Sequence, residues 1–429
     1  MQLVKDEYFQ NALSLLENAT ESLFLTGRAG TGKSTLLSYF MQNTKKNVVV
    51  LAPTGVAALN VKGETIHSFF HFKPGVTIED AKKEAKRVKN IAFYQSIDLI
   101  IIDEISMVRA DLLDCIDIFL QTLLCTKKPF GALRMVFIGD LYQLPPVVSN
   151  EERLFFEELY ETPYFFSAYV MKNLKFCPLV VELGKIYRQN DETFISLLNS
   201  IRKNCITEEE LNLLNKRAFL PCSDEGCLYL TTTNAAALKI NEEKLGALEG
   251  NCCEFTAEIE GDFDRKASLG ETILKLKPGA QVIFLNNHSE GLWVNGTLGR
   301  VTRVVADQIF VRMENGEEVK VKKFRWNLYK YGLDPQTKKL FQEEVGSFHQ
   351  YPLKLAWALT IHKAQGKSFD RVILDLERGC FAHGQTYVAL SRCRSLGGLF
   401  LKKPLKKSHI VMDQRVVQFL TRYQCALSD

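Results

Sequence analysis

The stretch GRAGTGKST, Gly27 to Thr35, sets glycines around a lysine that is followed by two hydroxyls. Gly27, Gly32, Lys33 and Ser34 stand at the positions of a phosphate-cradling loop. Glycines there let backbone N–H groups curl around phosphate oxygens with no Cβ in the way. Lys33 reaches the β and γ phosphates and Ser34 holds Mg²⁺, with Gly30, Thr31 and Thr35 completing the cradle. A second set is LIIIDEISM, an apolar run ending in Asp103 and Glu104. Alone, such a pair reads as a cap for the next helix. Following a phosphate loop, it reads as Asp103 holding Mg²⁺, often through water, and Glu104 polarising an attacking water as general base. A third is GDLYQLPPV, where Gln143 is placed to hydrogen-bond a γ-phosphate or the water. Asp140 is either a second polar support or a turn residue. Together these motifs imply nucleotide hydrolysis with ATP and Mg²⁺. They leave open what the energy drives.

Such groups need a rigid edge to stand on. SLFLTG, NVVVLAPTG, DLIIIDE and RMVFIGD are short apolar runs, each ending in a polar loop. Helical stretches separate them, including Asp6 to Asn18 with Phe9, Ala12, Leu13, Leu15 and Leu16 on one face. Nearly all-apolar strands alternating with helices predict an α/β fold with a parallel sheet covered on both sides. Gly27, Thr54, Asp103, Glu104 and Asp140 then fall at the carboxyl ends of strands, the edge where open α/β sheets bind ligands. This first domain is expected over 1–175. PLVVELGKIYRQ, CLYLTTTN and RVILDL read as strands of a second α/β domain over 176–254 and 351–429, with LNLLNKRAFL and QRVVQFLTRYQ as helices. Between them, 255–350 turns to alternating β-rich runs divided by Gly, Asn and Asp, an inserted small β-domain.

The 429 residues agree with about three domains at roughly 150 residues each. Lys and Arg total 54 against 50 for Asp and Glu, so any nucleic-acid surface must be a local concentration of charge. The eleven cysteines form no CxxC pair, and their odd number argues against a complete disulfide framework. Cys222 and Cys227 with Cys252 and Cys253 sketch a zinc cluster, but the spacing is irregular and no histidine flanks either pair. Reduced, mostly buried thiols are expected. MQLVKDEYFQ has acids where a signal peptide would be basic, and no run reaches the ~18 apolar residues of a membrane span. A soluble chain in a bacterial-type cytoplasm is expected, with no membrane partner.

APTGVAALN, GETIHSFF, IIIDEISM, PFGALRMVFIGDLYQLPPV, LGKIYRQ, TIHKAQG and YVALSRCRS follow one another in a fixed order. This ordered set resembles the superfamily-one DNA helicases of the petite-integration-frequency (Pif-type) family, close to the RecD-like helicases. The likeness runs from Gln10 to about Arg394, and the block from Asp111 to QLPPV looks like the family's signature segment. It departs in detail at Ala132, where a second glycine is common after PFG, and at Ala364 within HKAQG.

The resemblance implies two RecA-like P-loop NTPase domains with parallel sheets, ATP in the cleft between them, and a small inserted β-barrel-like domain. It implies that Arg188 and Arg392 are arginine fingers, that Gln10 reads the adenine edge, and that Gln365 and Gly366 sense nucleotide state. Thr54, Gly55 and Val56, with Thr360, His362 and Lys363, are implied to hold the DNA backbone. His67 and its neighbours Phe69, Phe70 and Phe72 are candidates to stack bases, although two of the three phenylalanines are expected in the core. A short wedge is implied near 64–76. The basic and aromatic residues Lys320 to Lys330 suit a single-strand channel and equally a half-exposed hairpin.

The function so implied is an ATP-dependent DNA helicase moving 5′ to 3′ on single-stranded DNA and unwinding duplex or folded DNA with a single-stranded tail, as a monomeric core. Roles in DNA replication, repair or recombination follow from the family. Two other readings stay open: a translocase without extensive unwinding, and a P-loop switch gating a partner protein. A RecD-like subunit of a nuclease complex is a further one, with any cleavage residing in the partner.

Overall fold

The structure, a computed structural model, describes residues 6–173, 175–189, 191–221, 226–261, 270–376, 379–380 and 382–425. Cys222 lies outside the described residues. The chain divides into two compact units, Met1–Tyr187 with Asn327–Gly346 and Asp413–Asp429, and Arg188–Trp326 with Ser347–Met412.

In the first unit six strands form one sheet in the order Glu64–Thr65, Val48–Ala52, Leu99–Ile102, Arg134–Gly139, Leu23–Gly27, Leu179–Leu183. Every pairing is parallel. Successive strand residues point to opposite faces, and both faces are covered. Phe24, Val49, Leu51, Ile100, Ile102 and Phe137 enter one core. Leu23, Leu25, Val48, Val50, Leu99 and Ile101 enter the other, against Phe9, Leu16, Leu36 and Phe40 of the helices Glu7–Asn18 and Lys33–Asn43.

Two segments assigned above to the second domain pack in this unit instead. Leu179–Leu183 lies parallel to Leu23–Gly27 as the sixth strand and adds Val181 and Leu183 to the core, so the first sheet continues past residue 175. The C-terminal helix Gln414–Cys425 buries Val416 and stacks Phe419 on Phe166, rings 4.4 Å apart. An amphipathic helix matches any apolar face in its reach, so its pattern alone does not name the sheet it covers.

The stretch that resembles a family signature acts as a fastening. On the helix Ala110–Leu123, the buried carboxylate of Asp114 accepts from the N–H groups of Tyr169 and Val170 at 2.9 and 3.0 Å. That of Asp117 accepts from Phe130 N–H at 2.5 Å and from the Gln121 amide at 2.7 Å.

The second unit holds a four-stranded parallel sheet ordered Ala358–Thr360, Leu228–Thr231, Val372–Asp375, Leu399–Leu401. Its inserted part is a five-stranded antiparallel sheet from Glu318–Val321 through Gln308–Met313, Leu298–Val305 and Gln281–Phe284 to Leu353–Leu355. Val282, Phe284, Val301, Ile309 and Val311 form its core. Among the described residues its edge strands do not pair with each other, so it is an open sheet rather than a closed barrel. At the start of the adjoining strand Phe324–Leu333, Lys323, just before it, pairs with Glu258 at 2.7 Å and Arg325 with Glu260 at 3.1 Å. Trp326 is buried against Phe348. Lys323 and Arg325 thus give a half-exposed hairpin a charged face.

Of the nine described free cysteines, Cys115, Cys227 and Cys393 are buried, whereas Cys125, Cys177, Cys205 and Cys252 are exposed. The expectation of mostly buried thiols thus fails at four positions, all in turns or loops. No helix among the described residues is long and apolar enough to cross a membrane.

Candidate active site

Strand Leu23–Gly27 delivers the chain into the glycine loop, and the helix Lys33–Asn43 leaves it. Gly27 has no room for a side chain: a Cβ there would sit 2.7 Å from Thr31 Oγ1 and 3.0 Å from the Leu183 carbonyl. Gly32, which caps the helix, has φ +85°, a conformation that favours glycine. The Thr31 hydroxyl donates to the Arg28 carbonyl at 3.0 Å and stiffens the turn. The Lys33 ammonium folds back onto the carbonyls of Gly27 at 2.6 Å and Arg28 at 3.0 Å. It therefore lies within the loop whose amides would cradle phosphate. Ser34 and Thr35 are exposed on the first turn of the helix.

Two strands away, Asp103 follows Leu99–Ile102 and is buried. Burial, and then the charge of Glu104, push its carboxyl above the ordinary range, while Lys33 pulls the other way. Glu104 has φ +51°, a left-handed backbone uncommon for a residue with a side chain. Such strain is often stored at functional sites. The hydroxyl of Ser34 and the carboxylate of Asp103 are hard oxygen donors, and a buried carboxyl that resists ionisation is one a divalent cation would keep ionised. This donor set fits Mg²⁺.

Between these strands, Arg134–Gly139 leads to Asp140 and Gln143. The Gln143 side-chain amide donates to Asp140 Oδ2 at 3.2 Å and its backbone N–H to the Asp140 carbonyl at 2.9 Å. Asp140 also accepts from the Tyr142 N–H. Both readings of Asp140 hold: it builds the turn and orients the glutamine. The loop Gly27–Thr35, Asp103, Glu104 and Gln143 thus gather at the carboxyl ends of three neighbouring strands.

Sequence reasoning missed Tyr187. Its N–H donates to the Gly30 carbonyl at 2.9 Å, and its ring lies 3.8 Å from where a Cβ of Gly32 would be. Its hydroxyl donates to Asp6 at 2.6 Å. Asp6 caps the helix on whose exposed face Gln10 sits. The aromatic just before Arg188 in IYRQ was the available signal.

The DNA candidates of the first unit stand at the ends of the two strands on one side of the sheet. Thr54 caps a short helix by accepting from the Ala57 N–H, and Gly55 and Val56 follow, Val56 exposed. His67 is half-buried, and that burial lowers its pKa. Phe69, Phe70 and Phe72 are all buried in one aromatic cluster with Phe119, so none of them is available to stack a base.

In the second unit Thr360 is buried at a strand end and its hydroxyl accepts from the Lys363 N–H at 3.3 Å. Burial lowers the pKa of His362, and burial followed by Lys354 lowers that of Lys363. Gln365 and Gly366 continue the same loop. Arg188 donates through Nη2 to the Gly366 carbonyl at 3.2 Å. Arg392 is 1% exposed and spends Nε on Val388 at 2.9 Å, Nη2 on Ser391 at 2.8 Å and Nη1 on the Lys367 carbonyl at 3.3 Å.

The sequence profile of the PIF1-like helicases matches residues 5–211. Over 431 aligned residues the chain is 33% identical to the ATP-dependent DNA helicase Pif1 of Bdellovibrio bacteriovorus, covering 96% of this chain and 91% of that one. It is 35% identical to human ATP-dependent DNA helicase PIF1 over 88% of this chain and 58% of the human protein. In three dimensions it is similar to Bacteroides sp. Pif1 in complex with ADP-AlF4, with TM-score 0.90, 36% identity, and 99% and 98% of the two chains covered. The same Bacteroides protein bound to single-stranded DNA matches with TM-score 0.70 and 37% identity over the same shares.

Proposed function

The chain belongs to the PIF1-like helicase family and is an ATP-dependent DNA helicase, and we propose that it moves 5′ to 3′ along single-stranded DNA, opening duplex or folded DNA that carries a single-stranded tail. The observation that carries the reading is the convergence of the glycine loop, Asp103 with Glu104, and Gln143 on three adjacent strand ends.

Each residue has a role that follows from its chemistry. The loop amides and Lys33 hold the phosphates, Tyr187 and Gln10 hold the base, and Gln143, oriented by Asp140, holds the γ-phosphate or the water. Glu104 accepts the water's proton. Ser34 and Asp103 would hold Mg²⁺, which when bound neutralises phosphate charge. Arg188 and Arg392 stabilise charge on the transferring group, an effect worth ~10³ to 10⁵ in rate for arginine fingers. Thr54, Gly55, Val56, Thr360, His362 and Lys363 grip the DNA backbone, a contact that carries no sequence preference, and His67 stacks on a base. The segment of residues 64–76 serves as the wedge, against ~1.4 kcal/mol of stacking per base-pair step.

Solved structures support DNA as the partner: Bacteroides Pif1 bound to single-stranded DNA, and a study of forked duplex unwinding by two coordinating Pif1 helicases. For this chain we propose a monomeric core. Steady-state ATP hydrolysis with and without single-stranded DNA at fixed moderate salt tests the reading, followed by duplexes tailed at either end. Strong stimulation and opening only of 5′-tailed duplexes are expected. Stimulation without opening would instead favour a translocase, and hydrolysis indifferent to DNA a partner-gated switch.

A further inference from the structure

Both arginines assigned to the nucleotide rest on consecutive carbonyls of one short segment. Arg188 Nη2 lies on Gly366 and Arg392 Nη1 on Lys367. The side chain of Lys367 leaves that segment toward the inserted β-domain. Its ammonium donates to Asn295 Oδ1. Its stem crosses Gly296, where a Cβ would lie 3.5 Å from Lys367 Cβ.

Asn295 and Gly296 form a turn near the end of the loop between strands Gln281–Phe284 and Leu298–Val305. That turn is pinned: Asn295 N–H donates to Asn287 Oδ1 at 2.8 Å and Gly296 N–H to the Phe284 carbonyl at 2.9 Å. Movement at Lys367 is thus passed to the strands rather than absorbed by a slack loop. Asn295, Gly296 and Lys367 also line a cavity of about 540 Å³, which gives the lysine room to move. Burial, and then the charge of Lys354, push the Lys367 ammonium down to about 8, so its position matters electrostatically.

We infer that Lys367 is a positioning residue that relays the state of the two arginines to the inserted β-domain through Asn295. When Arg188 and Arg392 turn to a γ-phosphate they release the carbonyls of Gly366 and Lys367. The segment shifts, and the Lys367–Asn295 bond carries the shift into the β-domain. The inference rests on the proposed roles of the two arginines.

The test uses the full chain with Lys367→Met, which keeps the stem and loses the ammonium, with Asn295→Ala, with the double variant and with Lys367→Arg. Three quantities are read: DNA-stimulated ATP hydrolysis, base pairs opened per ATP on a 5′-tailed duplex, and Tm. Both single variants are expected to keep stimulated hydrolysis and Tm while opening at least about fivefold fewer base pairs per ATP, the lower end of ordinary coupling energies. The double variant should be no worse than either single, and Lys367→Arg should recover part of the loss. Wild-type opening per ATP in both single variants overturns the relay, as does a double variant whose loss is the product of the singles. Hydrolysis and opening falling in step with Tm would mark a merely structural contact and overturn it too. A wild-type enzyme whose hydrolysis ignores DNA would defeat the functional reading itself, a distinct result.

Discussion

The hydroxyl of Tyr187 donates to the carboxylate of Asp6 at 2.6 Å, tying the cap of the N-terminal helix to the residue that flanks the phosphate loop. Tyr187 remains 41% exposed with its ring beside Gly32, a platform on which a nucleotide base could lie. Stacking of this kind contributes ~1–3 kcal/mol. Tyr187→Ala should therefore raise the KM for ATP roughly tenfold, with a smaller change in kcat. Tyr187→Phe keeps the ring and should cost much less. Equal losses in the two variants would place the function in the hydroxyl instead.

The two arginines predict different variants. Among the described residues Arg188 has a buried Nη1 with no hydrogen-bond partner, and its Nη2 donates to the Gly366 carbonyl. Arg392 is fully enclosed with bonds from Nε, Nη1 and Nη2. Arg188→Ala should lower turnover by ~10³ or more while Tm stays near wild type. Arg392→Ala should lower both, because it opens a void and strips partners from buried acceptors. Turnover and thermal melts on the same preparations decide. Wild-type turnover in Arg188→Ala would remove it from the catalytic set.

The Lys33 ammonium donates to the carbonyls of its own loop, those of Gly27 and Arg28. Lys33→Ala should abolish ATP hydrolysis and leave single-strand binding in place, since Thr54 and His67 stand beyond the ends of other strands, Val48–Ala52 and Glu64–Thr65. Loss of both activities together would contradict the separation of the two sites.

How much of this was legible in the sequence depends on whether the signal was local. The glycine loop, the Asp103–Glu104 pair and the apolar runs were local, and the first sheet carries them in the expected parallel arrangement. Leu179–Leu183 and Gln414–Cys425 were recognised as strand and helix but given to the wrong unit, because an apolar face does not encode its partner. The phenylalanines after His67 suggested base stacking by type alone, and burial decided against it. Tyr187 escaped notice since its role depends on Asp6, 181 positions away. The block from Asp111 to QLPPV read as a signature segment, and within it Asp114 and Asp117 hold neighbouring loops, a role that only their partners reveal.

Asp117 offers a direct test of that last point. Its carboxylate meets the N–H of Phe130, whose φ of +50° the turn must hold against its own preference. Asp117→Ala would leave this N–H buried and unpaired, at a cost of about 1–3 kcal/mol. Chemical denaturation should show that loss, while ATP affinity measured well below the melting transition should be close to wild type. A variant as stable as wild type would mean that the turn stands without the carboxylate.

Glu64 carries a pH dependence whose sign can be worked out. It is 3% exposed, accepts from the Ser68 hydroxyl at 2.7 Å, and has Lys330 and Tyr331 nearby. Glu84, Arg87, Lys89 and His71 line the same cavity. Burial raises its pKa above 4.5, against the opposing pull of Ser68, Lys330 and the Tyr331 amide. In the window between the unfolded and folded values the folded chain holds the extra proton. Its stabilising contribution is therefore complete below 4.5 and is lost as pH rises through the folded value. Glu64→Gln cannot ionise. The difference in Tm, Gln minus Glu, should be small near the acid end and grow in favour of Gln toward neutral pH. The plateau should correspond to a stability difference on the order of 1 kcal/mol, the usual scale of a single substitution. Melts of both proteins across that range would show it, and a difference that does not vary with pH would mean that Glu64 does not titrate there.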